Sequence, residues 1–112
     1  MDILKSLDQS PAVVDYDVQA FRTWSGGGYF KIAVWLVDGG TLHAREYVDE
    51  NERCYSFHWQ DANSQLLVRW DNAPHHPDLT TFPHHRHEAG MVTECKPATL
   101  LDVLETLEVM LL

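Results

Sequence analysis

Short stretches of alternating apolar and polar residues run through the first two thirds of the chain, and turn-forming residues interrupt them about every ten residues. Such alternation is typical of β-strands, in which successive side chains point to opposite faces of a sheet. The pattern predicts five strands, over residues 18–24, 29–37, 41–48, 53–60 and 65–71. Because the intervening turns are short, we expect these strands to form an antiparallel meander.

The pattern changes after Asn72. Prolines at positions 74, 77 and 83 exclude a central strand or a helix interior, so this segment is predicted to be a loop. Thr99, followed by Asp102, is typical of a helix start, and leucines at positions 100, 101, 104, 107 and 111 then recur at helical spacing. A short helix is also predicted over residues 2–7. The predicted fold is α+β, with a C-terminal amphipathic helix covering one face of a meander of about five strands.

Pairing the strands about turns centred on residues 39–40, 50–51 and 62–63 divides the side chains between two faces. The apolar face, predicted to be the core, collects Ala33, Trp35, Val37, Leu42, Ala44, Tyr55, Phe57, Trp59, Leu66, Val68 and Trp70. On the polar face, His43 is opposite His58, and Arg45, Ser56 and Arg69 form a row across three strands. An alternative is that this face is polar only because it is solvated.

The chain has 112 residues, which fits one domain over residues 1–112. Its longest apolar run, residues 32–37, is much shorter than the ~20 residues that a membrane-spanning helix needs. The first ten residues lack the pattern of a signal peptide, so a cytoplasmic location is expected, with no membrane association. Cys54 and Cys95 are isolated and are expected to be reduced thiols.

Charge and histidine content point in different directions. The formal charge of −9 is unfavourable for generic nucleic-acid binding, so any such role must depend on a local basic patch. The chain has seven histidines. Five of them lie in the proline-rich segment, at His75, His76, His84, His85 and His87. This clustering is the strongest functional signal in the composition.

Three chemistries use such a cluster: acid–base catalysis, metal binding, and phosphate binding beside an arginine. Adjacent histidines point apart on an extended chain, which disfavours a metal site, although His84 and His87 could be two ligands of a site completed elsewhere. No metal or cofactor is therefore expected. A purely structural loop, with histidines bonded to backbone carbonyls, is a further alternative.

Three runs carry a family resemblance: residues 55–61 (YSFHWQD), 69–77 (RWDNAPHHP) and 81–87 (TFPHHRH). Together they closely resemble the TumE-like toxins of bacterial and archaeal toxin–antitoxin pairs. The resemblance implies a small growth-inhibiting protein that is neutralised by an antitoxin with a helix-turn-helix DNA-binding domain. It also favours ribonuclease activity. The positions that match the family pattern are His58, Trp59, Gln60, Arg69, Trp70, Asp71, Pro74, His75, His76, Pro77, Pro83, His84, His85 and His87.

The resulting hypothesis is metal-independent cleavage of single-stranded RNA by a type II toxin. His58 is the expected base, Arg69 holds the phosphorane charge, and the proton donor is one of His84, His85 and His87. Residues expected to contact substrate are Arg45, His43, Trp70, Arg86, His75 and His76. Two alternatives stay open: a non-catalytic module that binds a partner through the His/Pro loop, and an enzyme with a histidine-bound metal. Homo-oligomerisation is also left open.

Overall fold

The structure, a computed structural model, describes residues 2–112. In chain order its elements are helix α1 (Ile3–Gln9), strands β1 (Val13–Trp24), β2 (Gly27–Leu36), β3 (Thr41–Val48), β4 (Arg53–Gln60), β5 (Leu66–Asp71), β6 (His85–Glu88) and β7 (Met91–Glu94), and helix α2 (Leu100–Leu111). The strands form one sheet in the order β1 to β7, so each pairs antiparallel with its neighbours in the chain. The α+β class, the meander and both helices are confirmed.

The predicted number of about five strands is wrong, because the sheet has seven. The two additional strands, β6 and β7, lie in the segment that was predicted to be a loop. Pro83 precedes β6 and Pro97 follows β7, so both strands are free of proline and their backbone N–H groups are available for pairing. Ala89 and Gly90, with φ of 53° and 76°, form a two-residue turn between the two strands. Positive φ at both positions is typical of a tight β-hairpin.

The prediction of which β2 side chains face the core is also wrong. Trp35 and Val37 were assigned to the core but are each 44% exposed. The turn occupies residues 37–40 and Trp35 pairs with Thr41, which shifts the register by three residues from the predicted one. An odd shift moves every side chain of a strand to the opposite face. The core therefore receives Phe30, Ile32, Val34 and Leu36 from β2, while Ala33 is buried opposite His43 on the other face.

The pairing of β4 with β5 differs from the prediction by two residues. His58 pairs with Arg69, and Ser56 pairs with Asp71, where the prediction placed Arg69 opposite Ser56. A bulge between Trp59 and Gln60 accompanies this change. An even shift keeps Arg69 on its predicted face, but Leu66 near the bulge is 46% exposed and lies outside the core. The predicted pairing of His43 with His58 is confirmed.

One face of the sheet is covered by the helices. Helix α2 begins at a capping box in which Thr99 accepts a hydrogen bond from the Asp102 N–H and its own N–H donates to the Asp102 carboxylate. Its buried residues are Leu100, Val103, Leu104 and Leu107. They share a core with Leu7 of α1 and with Phe57, Trp59, Val68 and Trp70 of the sheet. Within residues 2–112, neither helix combines the length and the apolar character that crossing a membrane requires.

We expect Leu107→Ala to lower the free energy of unfolding by about 2–5 kcal/mol, because the substitution leaves a cavity under a fully buried side chain. Urea denaturation monitored by tryptophan fluorescence measures the loss. The matched control is Val109→Ala on the same helix, where the side chain is 83% exposed, and we expect a change within about 0.5 kcal/mol. Equal effects of the two substitutions would contradict the packing described for α2.

Candidate functional site

The sheet face opposite the helices carries two adjacent rows of polar side chains, which we call the open face. In-register neighbours in an antiparallel sheet project from the same side, about 5 Å apart. The first row contains His43, His58, Arg69 and His87, contributed by β3, β4, β5 and β6. The second row contains Lys31, Arg45, Ser56, Asp71 and His85, from β2 to β6. The open face therefore joins five consecutive strands.

Positive charge is concentrated on the open face of an acidic chain. Lys31, Arg45 and Arg69 are three of the eight Lys and Arg residues in the sequence, whose formal charge is −9. Three concavities of about 380, 280 and 350 Å³ lie along this face, and Arg69 lines all of them. Arg69 is thus the point at which the concavities meet. Asp71 in the second row and Asp17, where the first row continues through Ala33 onto β1, offset part of this charge. Three cations against two carboxylates still favour phosphate groups locally, despite the opposite net charge of the chain.

The buried carboxylate of Asp71 holds this region together. Asp71 Oδ2 accepts a hydrogen bond from Arg69 Nε at 2.9 Å, and Oδ1 lies 2.9 Å from Nε2 of His85. Oδ2 also lies 3.5 Å from Nε2 of His87, and Oδ1 accepts from the Ala73 N–H at 3.0 Å. Asp71 is only 4% exposed, so its charge requires these partners. The carboxylate orients Arg69 and two histidines at once.

His58 and His87 flank Arg69 on the two neighbouring strands. His58 pairs with Arg69 from β4, and His87 pairs with it from β6. Two strand spacings place the two histidine backbones about 10 Å apart. A phosphate bound by Arg69 would therefore have an imidazole on each side, which is the arrangement that a general base and a general acid need.

Burial lowers the pKa of His58, and the charges of Arg69 and His43 lower it further. This pKa shift favours the neutral imidazole that can accept a proton. Burial also lowers the pKa of His87, whereas the adjacent Asp71 carboxylate acts in the opposite direction. The net shift of the His87 pKa is downward. A bound phosphate would add a second anionic neighbour and raise this pKa again, toward that of a proton donor.

The other three loop histidines that belong to this region differ in environment. His85 is 2% exposed, and its ring nitrogens face Asp71 Oδ1 and the Pro83 carbonyl oxygen, each at 2.9 Å. The rings of His76, His85 and His87 pack edge to face. His75 is exposed and lines the same concavity as these three residues. The structure thus brings His75, His76, His85 and His87 together beside Asp71.

His84 does not join them. Its Nδ1 lies 2.8 Å from the hydroxyl of Tyr55, and the two rings are stacked. Tyr55 belongs to the helix-covered core, so His84 lies on the other side of the sheet from the open face. Burial, together with the charge of Arg53, lowers the pKa of His84. Pairing of His84 with His87 around one metal ion has no support in this geometry.

Trp70 and Arg86 also lie on the helix-covered side. Trp70 is 5% exposed and belongs to the core. Arg86 pairs with Trp70 across the strands, and its guanidinium lies 5.8 Å from the indole ring and donates to Glu88 at 2.7 Å. Trp70 and Arg86, two of the six residues expected to contact substrate, are therefore separated by the sheet from His43, Arg45 and the rest of the open face.

Two residues of the open face were missing from the set predicted from the sequence. Lys31 was missed because the shifted register of β2 reverses the facing of that strand. Asp71 was noted only as a position that matches the family pattern. Its role as the shared partner of Arg69, His85 and His87 depends on β6, which was not predicted. The sequence did carry one signal for this role: Asp71 lies two residues after Arg69 on a predicted strand, so the two side chains share a face.

Comparison with known proteins agrees with the resemblance carried by the histidine and proline motifs. A family model described as Toxin TumE matches residues 3–111, nearly the whole chain. No curated protein matches the chain. No solved structure matches it either. The match includes every element of the fold and every residue of the open face. The chain therefore belongs to the TumE toxin family.

Proposed function

We propose that this chain is the toxin of a type II toxin–antitoxin pair and that it cleaves single-stranded RNA without a metal ion. The observation that carries the proposal is the placement of His58 and His87 on either side of Arg69. Membership of a toxin family supports growth inhibition as the outcome. The antitoxin is expected to be the helix-turn-helix protein encoded beside the toxin.

The proposed reaction is transfer of a phosphodiester from its 5′-oxygen to the adjacent 2′-oxygen. Neutral His58 removes the proton of the 2′-hydroxyl, and the 2′-oxygen attacks phosphorus. Arg69, held in place by Asp71, stabilises the negative charge of the phosphorane. Protonated His87 delivers its proton to the departing 5′-oxygen. The products are a 2′,3′-cyclic phosphate and a 5′-hydroxyl end.

The rest of the open face suits a nucleic-acid strand. Lys31 and Arg45 extend the positive charge beyond Arg69 along the second row, where they can neutralise neighbouring phosphates. Tyr29 and Tyr47 line the 380 Å³ concavity together with Arg45 and Arg69. Aromatic rings beside a cationic groove are typical of proteins that stack the bases of single strands. In this proposal the two tyrosines contact substrate in place of Trp70, which lies in the core.

We expect induction of the wild-type chain to arrest growth and to fragment total RNA, and His58→Ala and Arg69→Ala each to abolish both effects. Each substitution removes one group that the reaction needs. His58 is partly exposed, so His58→Ala should leave the melting temperature near that of the wild type. Arg69→Ala also removes a hydrogen-bond donor from buried Asp71 and should lower the melting temperature. Lys96→Ala is the charge-matched control for Arg69→Ala, because Lys96 is exposed and lies outside the open face. Co-expression of the neighbouring reading frame should restore growth.

The outcomes separate the alternatives. Arrest with intact RNA would retain the toxin but exclude the ribonuclease. Arrest by His58→Ala and Arg69→Ala at wild-type strength would exclude the chemistry proposed for the open face. The binding-module alternative makes a different prediction: replacing His75, His76 and His87 with Gln, with the prolines unchanged, would leave the function intact.

Asp71→Asn should lower the rate of RNA cleavage about 100-fold, because a misplacement of Arg69 and His87 by about 1 Å is enough for such a loss. It should also lower the free energy of unfolding by about 1.5–3 kcal/mol through weakened charged hydrogen bonds. Single-turnover cleavage of an oligonucleotide and urea denaturation measure the two effects. Asp78→Asn, at an exposed loop position, is the isosteric control and should leave both quantities unchanged.

The acidic limb of the pH–rate profile should have its midpoint below pH 6.5, because burial lowers the pKa of His58 from that value. Protonation of His58 at lower pH removes the base. Because protonation then favours the unfolded chain, stability should also fall as pH drops through the same range. NMR titration of the His58 ring protons gives the pKa directly. Arg69→Gln should raise it, and an unchanged midpoint would show that Arg69 does not act electrostatically on His58.

A further inference from the structure

Three histidines from two separate segments converge beside Asp71. His76 comes from the loop after β5, while His85 and His87 come from alternate positions of β6. One ring nitrogen of each residue lies within 4.8 Å of the corresponding atoms of the other two. Among residues 2–112, this is the group of histidine, cysteine and acidic side chains that is close enough to share one metal ion.

The contacts around His85 are those of a prepared ligand. Its Nδ1 donates to the Pro83 carbonyl oxygen at 2.9 Å, so Nε2 is the nitrogen left for a metal. Nε2 now lies 2.9 Å from Asp71 Oδ1, and Zn²⁺ would replace the proton of that hydrogen bond. Metal-binding histidines commonly use the second nitrogen in this way, which fixes both tautomer and orientation. Nε2 of His85 and Nε2 of His87 point to the same carboxylate, that of Asp71. Two of the three ligand histidines therefore lie against the Asp71 carboxylate, and His76 lies beside them through ring contacts with both.

We propose that His76, His85, His87 and Asp71 form a Zn²⁺ site. Three imidazoles and one carboxylate are a ligand set that zinc accepts in tetrahedral geometry. Zn–N bonds of about 2.0–2.1 Å place the ligand atoms of a tetrahedral site about 3.3 Å from one another. The histidine nitrogens, which now lie within 4.8 Å of one another, must therefore move closer together. His76 can supply this movement, because it is half-buried on a loop, whereas His85 is fixed by Pro83. Arg69 and the Ala73 N–H remain as hydrogen-bond donors to the Asp71 carboxylate.

This site has a regulatory consequence that rests on the proposed function. His87 is the proton donor of the proposed reaction and also a ligand of the proposed metal. Its lone pair cannot bind Zn²⁺ while the same nitrogen carries the proton that the leaving oxygen needs. Zinc would also add positive charge next to Arg69. Zinc binding should therefore inhibit RNA cleavage, and the bound and catalytic states should exclude each other.

The test is titration of the full chain, without a polyhistidine tag, with Zn²⁺ by calorimetry and with Co²⁺ by visible absorption. We expect one equivalent of either ion and the intense absorption bands of tetrahedral Co²⁺. His76→Ala and His87→Gln should each weaken binding at least tenfold. His43→Ala is the matched control, since His43 is exposed on the same sheet face but lies outside the cluster, and its affinity should equal that of the wild type. His85 is left intact because it is 2% exposed and its removal could unfold the chain.

The absence of stoichiometric binding by the wild type, or wild-type affinity in His76→Ala and His87→Gln, would overturn the zinc site. RNA cleavage measured in chelator, and again with one equivalent of Zn²⁺, tests the inhibition. Binding without any cleavage in chelator would reject the proposed ribonuclease but leave the zinc site in place. Cleavage that is unchanged by bound zinc would overturn the inhibition.

Discussion

The buried carboxylate of Asp71 is the constraint on which the open face depends. A charge that is 4% exposed is stable only when donors surround it, and here the donors are the side chains that can do chemistry: Arg69, His85 and His87. The same carboxylate accepts the Ala73 N–H and so fixes the direction in which the His/Pro loop leaves β5. Structural stability and the geometry of the site therefore have one common origin. The two roles proposed for His87, proton donor and metal ligand, depend on this same arrangement around Asp71.

The sheet separates two kinds of environment by the alternation of its strands. Trp70 and Arg86 lie between the sheet and the helices, whereas their neighbours in sequence, Arg69, Asp71, His85 and His87, lie on the open face. The adjacent histidines His84 and His85 are likewise divided: one stacks on Tyr55, and the other bonds to Asp71. A motif that looks continuous in sequence thus serves packing and chemistry at alternate positions. Helix α2 makes this division possible, because it covers the apolar face with Leu100, Val103, Leu104 and Leu107.

Much of the fold follows from local sequence. The capping pair Thr99 and Asp102, together with the leucine spacing, indicated helix α2 correctly. The short turn at residues 49–52 indicated the pairing of His43 with His58 correctly. Other features depend on details that a hydrophobic pattern does not contain. Trp35 and Ile32 are equally suited to a core, and only the length of the turn at residues 37–40 decides which of them is buried. The hairpin of β6 and β7 was hidden because the prolines before it favoured a loop. Without that hairpin, the contacts of Asp71 with His85 and His87 could not be anticipated.

The simple order of the sheet also affects how the protein is made. Since every strand pairs with its neighbours in the chain, each hairpin closes over a short stretch and the loss of chain entropy at every step is small. Strands β1 to β7 can therefore associate on the ribosome in the order of their synthesis. Helix α2 is translated after all of them, so the apolar face stays uncovered until α2 emerges. Stable packing of the sheet therefore depends on an element that is translated after all seven strands.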